Sequence, residues 1–165
     1  MKIKISSKWL NHKFLCSPEY IVNHCKGRCC WGTNGLSISL LPEEDKEFQK
    51  AEKKCFYQCK TGLCSLHGTI KKPFGCIISP FTVNKNKTLI IRHRYSKFKC
   101  HGQGNYAYNV FKFSLVKLFG EEQYKKLKED LENNVNEIYL ELNNEIFDKL
   151  IYLDKLKPHA KKYFI

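Results

Sequence analysis

The sequence predicts an α+β protein: a small cysteine-rich, metal-binding head with a β-hairpin, packed on C-terminal α-helices of which one is long. Three observations predict it. All nine cysteines lie within the first hundred residues, at Cys16, Cys25, Cys29, Cys30, Cys55, Cys59, Cys64, Cys76 and Cys100. Residues 76–94 hold two β-rich runs about a polar tetrapeptide. Beyond Gly104 the apolar residues recur every three or four positions, which is the period of a helix.

A chain of 165 residues fits one domain with an ordinary core. The expected organisation is a single domain over 1–165, with 1–104 the cysteine-rich metal-binding part and 105–165 the helical part. Hydrophobic residues at 42% and charged residues at 27% are ordinary for a globular protein. No stretch approaches the roughly 20 apolar residues that span a bilayer, so a soluble chain with no membrane partner is expected. Met1 to Leu10 alternates polar and apolar residues and lacks the apolar run of a secretory signal. The expected location is therefore cytoplasmic, where thiols stay reduced.

Taken in order, the first element is the knuckle Cys25-Lys26-Gly27-Arg28-Cys29-Cys30. Gly27 supplies the backbone freedom of a tight turn, and Lys26 and Arg28 place positive charge beside the sulfurs, which favours the thiolate. Pro42 to Lys54 reads as a short helix, with proline in its first turn, acids following and lysines near its end. The second cysteine group, Cys55, Cys59 and Cys64, follows, with Gly62 just before Cys64. Cys76 to Val83 and Thr88 to Arg94, joined by Asn84-Lys85-Asn86-Lys87, predict a hairpin. Cys76 and Cys100 flank it, so its closure is expected to bring them together. Tyr106 to Phe119 predicts an apolar helix ended by Gly120. From Glu121 the positions Tyr124, Leu127, Leu131, Val135, Ile138, Leu142, Ile146, Leu150 and Leu153 form one stripe, predicting a helix of about nine turns before Pro158. Core packing, not a coiled-coil partner, accounts for such a stripe.

The chemistry of the cysteines follows from their number and spacing. Disulfides fit poorly: the count is odd, no export signal is evident, and Cys29 and Cys30 are neighbours whose mutual bond would be strained. Burial as small apolar side chains accounts for one or two thiols, Cys59 among them, but not for nine. Thiolates hold zinc or iron–sulfur clusters in sets of four, and loops of two to four residues between cysteines place two sulfurs on one ion. Cys25 with Cys29 and Cys55 with Cys59 meet that spacing. Adjacent residues point apart, so Cys29 and Cys30 are expected to serve two centres or two metals of one cluster. The spacing leaves zinc and an iron–sulfur cluster open as the cofactor.

These motifs, in their order, resemble a known family over roughly the first hundred positions. Cys25 to Cys30, then Gly35-Leu36-Ser37-Ile38-Ser39-Leu40 and Glu43-Glu44, look like the opening of the YkgJ-type cysteine-cluster family, whose label is zinc- or iron-chelating. Cys55-Phe56-Tyr57, Gly62-Leu63-Cys64-Ser65-Leu66-His67, Lys72-Pro73, Cys76 and Ser79-Pro80-Phe81 resemble its second half, and Cys100-His101-Gly102 with Gly104 its close. The resemblance implies eight metal ligands: Cys16, Cys25, Cys29, Cys30, Cys55, Cys64, Cys76 and Cys100. Cys59 is then the extra cysteine and a substitute for Cys16. This chain departs from the family's pattern in a longer step from Cys16 to Cys25, extra residues between Cys64 and Cys76, and Lys72 in place of arginine. His24, His67 and His101 lie near cysteines and are expected to sit at the surface or to support ligands, and not to be ligands.

Two further classes stay open. The formal charge of +13 suits a polyanion, and Lys85, Lys87, Arg92, Arg94, Lys97 and Lys99 place cations beside aromatics on the hairpin, so nucleic acid is a candidate partner. Part of the lysine excess also suits a chain rich in residues with AT-rich codons. The resembling family includes the cysteine-rich part of flagellin lysine methylases, which implies an iron–sulfur-dependent enzyme component as another candidate. The sequence shows no GxGxxG loop, no HExxH motif and no CxxxCxxC triplet, so it assigns no catalytic residue. No motif specifies a protein partner.

Overall fold

The structure, a computed structural model, describes residues 1–31, 38–52 and 54–156. Residues 35–37 of the run before the acidic pair, Lys53 and Pro158 lie outside the described residues. The architecture is α+β, and a four-stranded mixed sheet organises it.

The alternation at the N-terminus is a strand, β1 (Lys2–Ser6), because Ile3 and Ile5 fall on one face and are fully buried while Lys2 and Lys4 face outward. A turn of helix, α1 (Ser7–Leu10), buries Trp9 and Leu10 and leads to a two-residue strand, β2 (Lys13–Phe14). The cysteine-bearing excursion follows, with short helices α2 (Pro18–Tyr20) and α3 (Pro42–Glu47). The chain returns through α4 (Phe74–Ile78) into the hairpin β3 (Phe81–Val83) and β4 (Thr88–Ile91). Asn84 closes that turn: its Oδ1 accepts from the N–H groups of Asn86 and Thr88.

Strand β5 (Asn105–Tyr106) pairs antiparallel with β2, making a two-stranded clasp at the base of the excursion. Helices α5 (Ala107–Val110) and α6 (Lys112–Phe119) follow, and Gly120, at φ +83°, ends α6 as expected. After α7 (Glu121–Glu132) come strand β6 (Glu137–Glu141) and helix α8 (Asn144–Leu156). The sheet order is β3-β4-β1-β6, with β1 parallel to β4 and antiparallel to β6. Ile3 lies opposite Leu140 and Ile5 opposite Ile138, all four buried. The core continues from this sheet into Leu115, Leu118, Leu127, Leu131 and Leu150 of the helices.

The structure corrects the expected long helix. The stripe from Glu121 is two helices with a strand between them. Asn134 sits in the left-handed region at φ +58°, the Val135 N–H reaches back to the Asp130 carbonyl and the Asn134 N–H to Leu131, which together terminate α7. Ile138 and Leu142 fit the helical period by coincidence; in β6 it is Ile138 and Leu140 that turn inward, and Tyr139 is exposed. The predicted helix over Pro42 to Lys54 is likewise shorter, ending at Glu47. Cys76 lies on α4 and not on a strand. The division at residue 104 is one of sequence only, since β1, the hairpin and β6 share one sheet. Among the described residues no helix is long and apolar enough to cross a membrane.

Candidate metal centre

The cysteines hang from four short scaffolds, each fixed by backbone hydrogen bonds. Cys16 and Cys100 meet at the clasp, where the Leu15 N–H donates to the Cys100 carbonyl at 2.8 Å and the Gly102 N–H to Lys13 at 2.9 Å. Phe14 and His101 continue that pairing. Gly104 allows it, because a Cβ there would lie 2.4 Å from the Phe14 carbonyl oxygen. Ser17 caps α2, its Oγ accepting from the Tyr20 N–H, and one wide helical turn, Ile21–Cys25, delivers Cys25.

Two left-handed residues, Lys26 at φ +52° and Gly27 at φ +62°, then reverse the chain into a tight turn, Arg28–Cys30. This first knuckle docks backbone to backbone on a second, the ring 57–65. In the second knuckle the Ser65 N–H bonds Tyr57, the Cys59 N–H bonds Leu63, and Gln58 pairs with Cys64. A Cβ at Gly27 would lie 2.3 Å from the Gly62 oxygen, and one at Gly62 2.5 Å from the Lys26 carbonyl carbon. Gln58 locks the pair: its buried Nε2 donates to the carbonyls of Gly27 and Gly62, both at 2.9 Å, and of Lys26 at 3.1 Å, while its Oε1 accepts from the Trp31 indole at 2.9 Å.

Cys76 is placed from elsewhere. Glu44 Oε2 accepts from the Leu41 N–H at the start of α3, and its Oε1 accepts from the Phe74 N–H at the start of α4, so one carboxylate ties the two helix starts together. Arg94 reaches the site from the turn after the hairpin. Its Nη1 donates to the Cys29 carbonyl at 3.3 Å, its Nη2 to the Tyr95 hydroxyl, and its guanidinium lies over the Tyr95 ring.

The thiols sort by which charges they feel. Desolvation pushes the Cys16 thiol up to about 12, with the Cys29, Cys100 and Cys25 thiolates adding to it. The residue Cys16 as a whole is exposed; its sulfur is nonetheless crowded by protein, and the sulfur's surroundings are what a ligand atom feels. Desolvation also raises Cys100, to about 11, again with Cys29 and Cys25 adding. Cys76 is raised by desolvation to about 12, opposed by Lys72 and reinforced by Cys55 and Cys64. Desolvation raises Cys55 too, with Cys64 contributing. Between the groups stands the vicinal pair. Cys30 donates to Cys29, which raises Cys30 and lowers Cys29; Cys76 and Cys64 act further on Cys30, and the Arg94 cation on Cys29.

Eight of the nine cysteines thus lie within electrostatic reach of a neighbour: Cys16, Cys25, Cys29 and Cys100 on one side, and Cys30, Cys55, Cys64 and Cys76 on the other. Cys59 is exposed at the tip of the second knuckle. The hairpin closes as expected, but Cys76 and Cys100 answer to different sets of thiols. As they stand, no three His, Cys, Asp or Glu side chains among the described residues are gathered tightly enough to hold one ion. In type and number the donors fit two four-thiolate sites; in spacing they stand open.

Of the cations proposed for nucleic acid, Lys85, Lys87, Lys97 and Lys99 are exposed, whereas Arg92 is buried and Arg94 is committed to Cys29 and Tyr95. His101 stacks with His12 and meets Phe14 edge-on, and His67 contacts Lys72, so both are engaged beside the cysteines. Gln58 carries no motif and only its position within the second cysteine group hints at it, while Glu44 is visible only as one of the acidic pair Glu43-Glu44, with nothing to mark its tie to Phe74. No family model, curated protein or solved structure matches the chain.

Proposed function

We propose that this chain is a metal-binding protein that chelates zinc or an iron–sulfur cluster through Cys16, Cys25, Cys29, Cys30, Cys55, Cys64, Cys76 and Cys100. One observation carries the reading: thiols from segments far apart in sequence lie within electrostatic reach of one another about the Cys29–Cys30 step. Such thiols stay protonated until a counter-charge arrives, and a bound cation supplies that charge to all of them at once. The scaffolding also suits a ligand shell, with buried hydrogen bonds of Gln58 and a partly buried one of Glu44 fixing the segments that hold the sulfurs. The resemblance to the YkgJ-type cysteine-cluster family points the same way. When bound, zinc would brace these loops, and an iron–sulfur cluster would add electron transfer. A cytoplasmic, reducing setting suits nine free thiols.

Elemental analysis of the full chain, purified without oxygen, tests the proposal. Colourless protein with about two zinc ions per chain, or brown protein carrying iron and acid-labile sulfide, agrees with it. Folded protein free of both metals, and unable to take up either, contradicts it.

A further inference from the structure

The eight thiols are held by two different parts of the molecule. Cys16 and Cys100 are joined by the clasp of β2 and β5, and Cys29 and Cys100 pack directly against the main apolar core. Cys55 and Cys64 belong to the second knuckle, where Cys64 pairs with Gln58 and the Gln58 N–H bonds the Cys55 carbonyl. Cys76, on α4 whose start is tied to Glu44, lies near both of them. The two knuckles touch through backbone at Gly27 and Gly62, so Cys29 and Cys30, one step apart, stand at the seam.

Resting on the metal-binding reading, we propose that the sulfurs form two separate four-cysteine centres that abut at the Cys29–Cys30 peptide: a clasp centre of Cys16, Cys25, Cys29 and Cys100, and a knuckle centre of Cys30, Cys55, Cys64 and Cys76. Which side chains lie near one another follows the same division: Cys25 and Cys29 lie near both Cys16 and Cys100, whereas Cys64 lies near both Cys30 and Cys76, with Cys55 beside Cys76. Each set supplies the four thiolates of a tetrahedral ion, and its members draw together on binding, since no three donors among the described residues stand that close without it. The centres differ in what they do for the chain. The clasp centre ties residue 16 to residue 100 across the base of the whole excursion, next to the core. The knuckle centre folds the segment 55–76 onto itself and onto the first knuckle. Cys59 belongs to neither.

Native mass spectrometry of the full chain loaded with zinc under anaerobic conditions tests this. The wild type is expected to carry two ions, and Cys16→Ser and Cys64→Ser one each. In the one-ion species, alkylation of unprotected thiols mapped by fragmentation should leave Cys30, Cys55, Cys64 and Cys76 protected in the Cys16 variant, and Cys16, Cys25, Cys29 and Cys100 protected in the Cys64 variant. The wild type stripped to one ion by limited chelation gives the same readout without any substitution, and its protected thiols should form one whole set or the other. Protection that mixes the sets, or the loss of both ions from a variant whose near-ultraviolet circular dichroism is native, overturns the division while leaving metal binding standing. A wild type that binds no zinc and no iron removes the metal reading itself.

Discussion

Arg94 is the residue at which charge and architecture meet. Its guanidinium bonds the Cys29 carbonyl and lies on Tyr95, and it adds to the Cys30 hydrogen bond that chiefly holds the Cys29 thiol below its ordinary value. Lysine would supply the charge but not the planar fork that reaches two oxygens at once. Arg94→Gln is expected to weaken retention of the ion bound by Cys29 roughly tenfold, about 1.4 kcal/mol, the scale of one charge-assisted hydrogen bond. Competition with a chelator checks this, and Arg94→Lys should fall between the two. Cys59 gives the opposite case: Cys59→Ser is expected to leave metal content and the unfolding midpoint unchanged within about 0.5 kcal/mol, as for an exposed position away from structural features. Residue types and spacing made the thiols legible in the sequence. Arg94 was legible only as charge, because its engagement with Cys29, 65 positions away, depends on the hairpin's path.

Among the elements, the docking of the two knuckles is the most sensitive contact. Gly27→Ala would set a Cβ 2.3 Å from the Gly62 oxygen in a left-handed backbone, with no flexible neighbour able to give way but the end of Gln58. Gly102, at φ +87° with open space around it, is the control that carries the backbone cost alone. Gly102→Ala should cost about 1 kcal/mol and Gly27→Ala about 3 kcal/mol or more, with loss of metal in the second only. Urea unfolding followed by tryptophan fluorescence, with metal analysis on the same samples, separates them. The knuckle glycines and the hairpin turn could be read from sequence because a tight turn needs specific residues. The break at Asn133-Asn134 could not, because a 3.6-residue stripe continues across it and only the β1 partner strand shows which residues of 137–141 are inward. The N-terminal alternation that supplies that partner was equally visible, but a strand beginning at residue 2 and pairing with 141 is a long-range choice made by the core.

At the level of the whole molecule, proton and metal compete for the same sulfurs. The Cys16, Cys76 and Cys100 thiols, raised from an ordinary 9.0 to about 12, 12 and 11, are protonated at neutral pH in the metal-free chain. An ion must displace those protons, so metal retention should strengthen as pH rises and fail on acidification. The metal-free fold behaves in the reverse sense. A thiol whose folded value lies above its unfolded one favours the folded state below about 9 and loses that contribution as pH rises toward 11 to 12. Stability of the stripped protein should therefore decline above pH 9, and that of the loaded protein should not; thermal melts of both forms across that range check the sign. The α+β class and the cysteine head emerge from local spacing and period, whereas the placement of β1 and β6 in one sheet is set by burial of Ile3, Ile5, Ile138 and Leu140 together.

The central claim is that sulfur alone surrounds the bound metal. X-ray absorption at the metal edge, on full-length protein purified without oxygen, measures that shell directly. Four sulfur neighbours per zinc at about 2.3 Å, with no light-atom shell inside them, is the predicted result. A first shell dominated by nitrogen or oxygen would contradict it.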